Sequence, residues 1–84
     1  MRLVFAEEGW DDYLYWQEND KKTLKRINEL IKAIKRAPFE GIGDPEPLRF
    51  NWSGFWSRRI SREHRLIYAV KNDQILIAQC RYYY

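Results

Sequence analysis

Glu46 stands between two prolines, Pro45 and Pro47. Pro47 biases the residue before it away from the helical region, and Pro45 fixes its own φ, so this carboxylate rides on a stiff, extended backbone. A general base must be held within reach of the proton it takes, whereas a solvated loop carboxylate has no such need. The tripeptide therefore reads either as a held base or as a surface turn. Further on, Arg59 and Arg65 bracket the segment Ile60 to His64. If Ser61-Arg62-Glu63 forms a three-residue hairpin loop, Ile60 pairs with His64 and Arg59 falls opposite Arg65. Like charges facing each other across a ladder cost about 0.2 to 1 kcal/mol. Two guanidiniums on a concave face suit the oxygens of a phosphate, which would offset that repulsion. The alternative makes both arginines rim residues paired with carboxylates such as Glu63, which lies on Arg65's side of the strand. The chain ends in Arg81-Tyr82-Tyr83-Tyr84. Phenols keep their proton at neutral pH and can donate it; three of them can also close a core, form an interface or stack on nucleobases.

Other chemistries lack their residues. His64 is the sole histidine and Cys80 the sole cysteine, which excludes a disulfide framework and any standard zinc site. A catalytic triad needs a histidine between a carboxylate and a nucleophile, and His64 sits in a short charged turn. Gly41-Ile42-Gly43 has neither the further glycine nor the lysine of a phosphate-binding fingerprint. Without a ligand cluster, a metal-dependent nuclease is disfavoured and no cofactor is implied. Metal-free phosphoryl transfer within RNA remains possible: a base, a cationic clamp and an acid suffice when the 2′-hydroxyl attacks its neighbouring phosphate.

The elements that position these residues follow from patterning. Leu3-Val4-Phe5 suits a short strand, and Glu7-Glu8 places negative charge where a helix N-terminus favours it. The first helix is predicted from Glu7 to Glu18, with Trp10, Tyr13, Leu14 and Gln17 at helical spacing. A second starts at Asn19-Asp20, either of which can cap it, carries Leu24, Ile27, Ile31 and Ile34 on one stripe, and stops before Pro38. Its other face is basic (Lys21, Lys22, Lys25, Lys32, Lys35, Arg36): a solvated surface or a contact for RNA phosphates. Residues Ala37 to Leu48 read as a long ordered loop. Three strands follow, Phe55 to Ile60, Arg65 to Lys71 and Ile75 to Tyr82, with Asn72-Asp73 as a two-residue hairpin turn. The class is α+β: an N-terminal strand, an αα-hairpin and an antiparallel meander, with the helices on one face of the sheet and the other face free. Strict alternation from Asn72-Asp73 pairs Arg65 with Cys80 and puts Tyr84 on Arg65's side. It turns Tyr83 to the other face unless the tail twists.

With 84 residues the chain makes one domain, 1–84, and its 17% aromatic content supplies the burial that disulfides or metals supply elsewhere. The N-terminal apolar run is too short for a signal peptide and no stretch approaches a membrane span, so a soluble, cytoplasmic protein is expected. Residues 1–42 hold 8 basic and 8 acidic side chains, residues 43–84 hold 7 and 4. The net +3 thus lies in the second half, a weak pointer to a polyanion.

Several segments, taken in order, closely resemble one family. They are Trp10-Asp11-Asp12-Tyr13-Leu14-Tyr15-Trp16, Pro38-Phe39-Glu40-Gly41, Pro45-Glu46-Pro47-Leu48, Ser53-Gly54-Phe55-Trp56-Ser57-Arg58-Arg59-Ile60 and Glu63-His64-Arg65-Leu66-Ile67-Tyr68. Together they are similar to the YoeB/Txe bacterial toxins of the RelE superfamily, over essentially the whole chain. The resemblance implies a RelE-like fold and a metal-independent endoribonuclease that cuts mRNA in the ribosomal A site, with ribosomal RNA as a further contact. It implies a homodimer and a neutralising YefM-type antitoxin, with no membrane, metal or cofactor. By position, the general base falls on Glu46, the phosphate-stabilising arginine on Arg65, further basic contacts on Arg49 and Arg59, a supporting carboxylate on Glu63 and the terminal tyrosine on Tyr84. The family ends in aromatic-His-Tyr with the histidine as general acid; this chain has Tyr83 there, so Tyr83, Tyr84 or ribosomal groups must supply the proton. Arg49 replaces a more usual lysine. The competing readings are a superfamily member that blocks ribosomes or poisons gyrase without cutting RNA, and a basic interaction module whose aromatics only mediate dimerisation.

Overall fold

The computed structural model describes residues 1–83. β1 (Arg2–Phe5) leads into α1 (Glu7–Asn19) and α2 (Lys21–Arg36). After the loop come β2 (Glu46–Pro47), a 3-10 turn (Phe50–Trp52), β3 (Trp56–Arg59), β4 (Arg65–Lys71) and β5 (Gln74–Gln79). Asp20 alone separates the helices. Its N–H donates to the Trp16 carbonyl at 2.8 Å, closing α1, and its carboxylate accepts from the Thr23 N–H at 3.1 Å and the Thr23 hydroxyl at 2.8 Å, opening α2. Those Thr23 bonds hold the carboxyl below the usual carboxylate range. The expected stripe on α2 is the core face, with Ile27, Ile31 and Ile34 buried and Leu24 packed against them, and Leu30 joins it. The lysines opposite are exposed.

The strands form one sheet in the order β1-β5-β4-β3-β2, antiparallel except for β1, which runs parallel to β5. An antiparallel sheet was the expectation from sequence; the first strand makes it mixed. The helix pair carries the chain to the far edge, and the meander walks back until β5 lies beside β1, running the same way. Gly9 is where α1 crosses β5, and a Cβ there would collide with the Ile77 carbonyl. Trp16, Ile27, Leu30, Ile34, Leu66, Tyr68, Ile75 and Ile77 fill the space between helices and sheet.

At the hairpin, Lys71 pairs with Gln74, and Asn72 (φ 53°) and Asp73 (φ 60°) both lie in the left-handed region, as a two-residue turn of this kind requires. Three residues back along β4 from Lys71, just beyond Tyr68, the register shifts. Tyr68 pairs with Ile77 but Ile67 pairs with Gln79, so Ala78 is a bulge. One extra residue reverses the face of everything after it, and the strand ends at Gln79 rather than Tyr82.

Candidate active site

The loop that delivers Glu46 is fastened along its length from the core side. Arg58 alternates with Trp56 and Ile60 toward the helices and is fully buried. Its Nε donates to the Tyr68 hydroxyl at 3.1 Å, its Nη1 to the Ile42 carbonyl at 3.0 Å, and its Nη2 to the Ala37 and Glu40 carbonyls at 2.7 and 2.9 Å. The Tyr68 hydroxyl donates in turn to the Pro38 carbonyl at 2.7 Å. A guanidinium has donors enough to neutralise several carbonyls at once, which is how a charge can sit in the interior here. Burial raises the Tyr68 phenol above its ordinary range, with Arg58 opposing. Beyond these ties, the Arg59 N–H donates to the Gly43 carbonyl at 2.6 Å and the Leu48 N–H to the Phe55 carbonyl at 2.9 Å. Gly43 has φ +86°, and a Cβ there would press on Leu30 and Arg58.

Held this way, Glu46 becomes an edge-strand residue paired with Ser57, which pairs with Ile67, which pairs with Gln79. In the next row Arg59 pairs with Arg65, the like-charge pair expected from the hairpin. Paired residues, and residues two apart on a strand, share a face. Glu46, Arg59 and Arg65 therefore project from the side opposite the helices. Glu46 and Arg59 are diagonal neighbours about 7 to 8 Å apart by sheet geometry, and their long side chains can flank a group the size of a phosphate.

Arg65 is half-buried, and oxygens other than carboxylates orient it. Nη1 donates to the Ser61 and His64 carbonyls at 3.1 and 3.4 Å, and Nη2 to the Tyr83 hydroxyl at 2.8 Å, with the guanidinium 4.4 Å from the Tyr83 ring centroid. Glu63 is exposed in the turn beside them. The bulge and a left-handed Tyr82 (φ 65°) bring Tyr83 to this face. Strict alternation had pointed Tyr83 away; the tail twists instead. Tyr84 lies outside the described residues.

The tail is docked through its backbone. The Trp16 indole donates to the Cys80 carbonyl at 2.8 Å, and the Cys80 N–H donates to the Asp12 carboxylate at 3.0 Å. Arg81 stacks 3.4 Å from the Tyr15 ring centroid. Burial pushes the Asp12 carboxyl up, partly offset by the Cys80 N–H, and with Asp12 beside it the buried Cys80 thiol is pushed up to about 12.

Arg49 is exposed and lines a shallow depression with Glu46, Pro47, Leu48 and Phe50. Phe50 is 91% exposed with φ 56°, an outlier for an aromatic side chain and one that sequence reasoning passed over because no periodicity or motif marks it. Arg58 was also missed in its role, although an arginine alternating with Trp56 and Ile60 demands buried acceptors. Among the described residues no three His, Cys, Asp or Glu side chains gather as a metal site, and no helix is long and apolar enough to cross a membrane.

The family model described as YoeB-like toxin of bacterial type II toxin-antitoxin system matches residues 5–84. Toxin YoeB of Escherichia coli K12 is 67% identical over 84 residues, covering 100% of both chains. The solved YoeB/ParE toxin from Agrobacterium tumefaciens superposes with a TM-score of 0.98 at 45% identity, covering all of both chains. From Staphylococcus aureus, a YoeB-YefM complex and a YoeB dimer each superpose with a TM-score of 0.93, at 48% and 49% identity, over 100% of this chain and 98% of theirs. The family match spans nearly the whole chain and the fold is shared across these structures, so the chain belongs to the YoeB-like toxins of bacterial type II toxin-antitoxin systems.

Proposed function

We propose that this toxin is an endoribonuclease that cleaves mRNA in the A site of the translating ribosome. The observation that carries the reading is the sheet face shared by Glu46, Arg59 and Arg65, with the Tyr83 hydroxyl 2.8 Å from Arg65. In this mechanism the Glu46 carboxylate takes the proton of an RNA 2′-hydroxyl, whose oxygen attacks the adjacent phosphorus. Arg59 and Arg65 stabilise the charge that accumulates on the phosphoryl oxygens, and the Tyr83 phenol protonates the departing 5′-oxygen. The bond formed is O2′–P and the bond broken is P–O5′, leaving a 2′,3′-cyclic phosphate and a free 5′-hydroxyl. No metal is required. Arg49 contacts the neighbouring backbone, Glu63 supports Arg65 from the turn, and Tyr84 stands as a further proton donor.

The basic face of α2 would meet ribosomal RNA. A YefM-type antitoxin and a second toxin copy are the proposed protein partners, by analogy with the S. aureus complex and dimer. Primer extension on a translated message tests the reading: wild type should leave discrete A-site cuts that vanish in folded Glu46→Ala and Arg65→Ala proteins. Translation arrest with intact message would instead make the protein a ribosome blocker, and altered DNA supercoiling with intact message a gyrase poison.

A further inference from the structure

His64 lies one residue before Arg65, yet its side chain points at the chain's other end. The Tyr82 N–H donates to the His64 Nδ1 at 2.6 Å, while the Arg65 N–H donates to the Tyr82 carbonyl at 3.0 Å. The two bonds grip both polar groups of Tyr82, a non-glycine residue held at φ 65°. That conformation is strained and persists only when its surroundings impose it. It is also the twist that turns the next residue, Tyr83, onto Arg65. The Trp16 ring packs edge-on against the imidazole, 4.8 Å between centroids, and fixes its plane.

We propose that His64 is a positioning residue: its unprotonated Nδ1 holds Tyr82 in the left-handed conformation that places the Tyr83 phenol at Arg65. This rests on the endonuclease reading only where it concerns rate. An Nδ1 that accepts from an N–H carries no proton, so the imidazole is the neutral tautomer with hydrogen on Nε2.

Two substitutions separate the acceptor from the ring. His64→Phe keeps an aromatic against Trp16 and removes the acceptor; His64→Asn removes the ring and offers Oδ1 where Nδ1 stood. Single-turnover cleavage on programmed ribosomes is compared with exchange of the Tyr82 amide in the free, ¹⁵N-labelled toxin. His64→Phe is expected to cut about 10- to 100-fold more slowly at unchanged half-saturating concentration, as expected for a displaced proton donor. Its Tyr82 amide should exchange freely. His64→Asn should keep most of the rate and the protection. Equal rates and equal Tyr82 protection in wild type and His64→Phe would overturn the proposal, as would a His64→Asn protein no better than His64→Phe. If the wild type cuts nothing, the endonuclease reading fails on its own, and Tyr82 protection still decides whether His64 holds the tail.

Discussion

Removing one oxygen from the core should loosen the loop that carries Glu46. The Tyr68 hydroxyl is completely buried between two partners, accepting from Arg58 Nε at 3.1 Å and donating to the Pro38 carbonyl at 2.7 Å. Tyr68→Phe leaves the ring in place and strands both partners. An unsatisfied buried group costs about 1 to 3 kcal/mol, and Arg58 retains its other acceptors, so a combined loss of about 2 to 4 kcal/mol is expected. For a chain of this size each kcal/mol moves Tm by about 4 to 8 °C, which puts the drop at roughly 8 to 32 °C. Urea titration followed by tryptophan fluorescence measures the loss directly, with an unchanged slope showing that only stability has moved. The functional corollary is separate. Pro38 is one of the points that fix residues 37–48, so cleavage at a temperature where the variant is fully folded should fall as Glu46 loses its register with Ser57. A stability loss under about 0.5 kcal/mol would mean that the staple is incidental, and the account of how Glu46 is positioned would be wrong. Arg58→Met, which abandons the Tyr68 oxygen and three carbonyls together, should fail to accumulate as folded protein.

Tyr83→Phe keeps the ring over Arg65 and deletes the proposed acid; cleavage should fall by about 10² to 10⁴, while Tyr83→His, which installs the donor usual in the family, should restore or exceed the wild-type rate. A marginal change in both would remove residue 83 from the acid step. Cys80, fully buried with its thiol pushed up to about 12, should resist a thiol-reactive dye at pH 8 in the native protein and react promptly in denaturant. Asp12 has its carboxyl raised by burial, so the folded state takes up that proton more readily than the unfolded chain. Its stability contribution is full below the unfolded value of 3.8 and is lost as pH rises through the higher folded value. Asp12→Asn keeps an acceptor for the Cys80 N–H and should abolish that loss in denaturation curves taken across the acid range. Gly43→Ala, strained at φ +86° and pressed on Leu30 and Arg58, should lower Tm and cleavage together.

Much of the protein is legible one residue at a time. The α2 stripe, the Asp20 cap, the Asn72-Asp73 turn and the opposition of Arg59 to Arg65 depend on local periodicity, hydrogen-bonding chemistry and hairpin counting, all of which act over a few residues. The proline clamp on Glu46 is equally local, and the ordered motifs were enough to suggest the family. Three features lay beyond that range. Which edge of the sheet β1 joins depends on where two helices deposit the chain, and an apolar tripeptide carries no such information. The buried Arg58 reads as one more surface cation until the fold surrounds it with four acceptors, since alternation shows the face of a residue and not what covers that face. The bulge at Ala78 is invisible in a run that alternates well enough without it, yet that inserted residue and the left-handed Tyr82 together bring Tyr83 to Arg65. Sequence determines which groups are available and which lie near each other along the chain; pairing across strands, set by long-range packing, decides which of them meet.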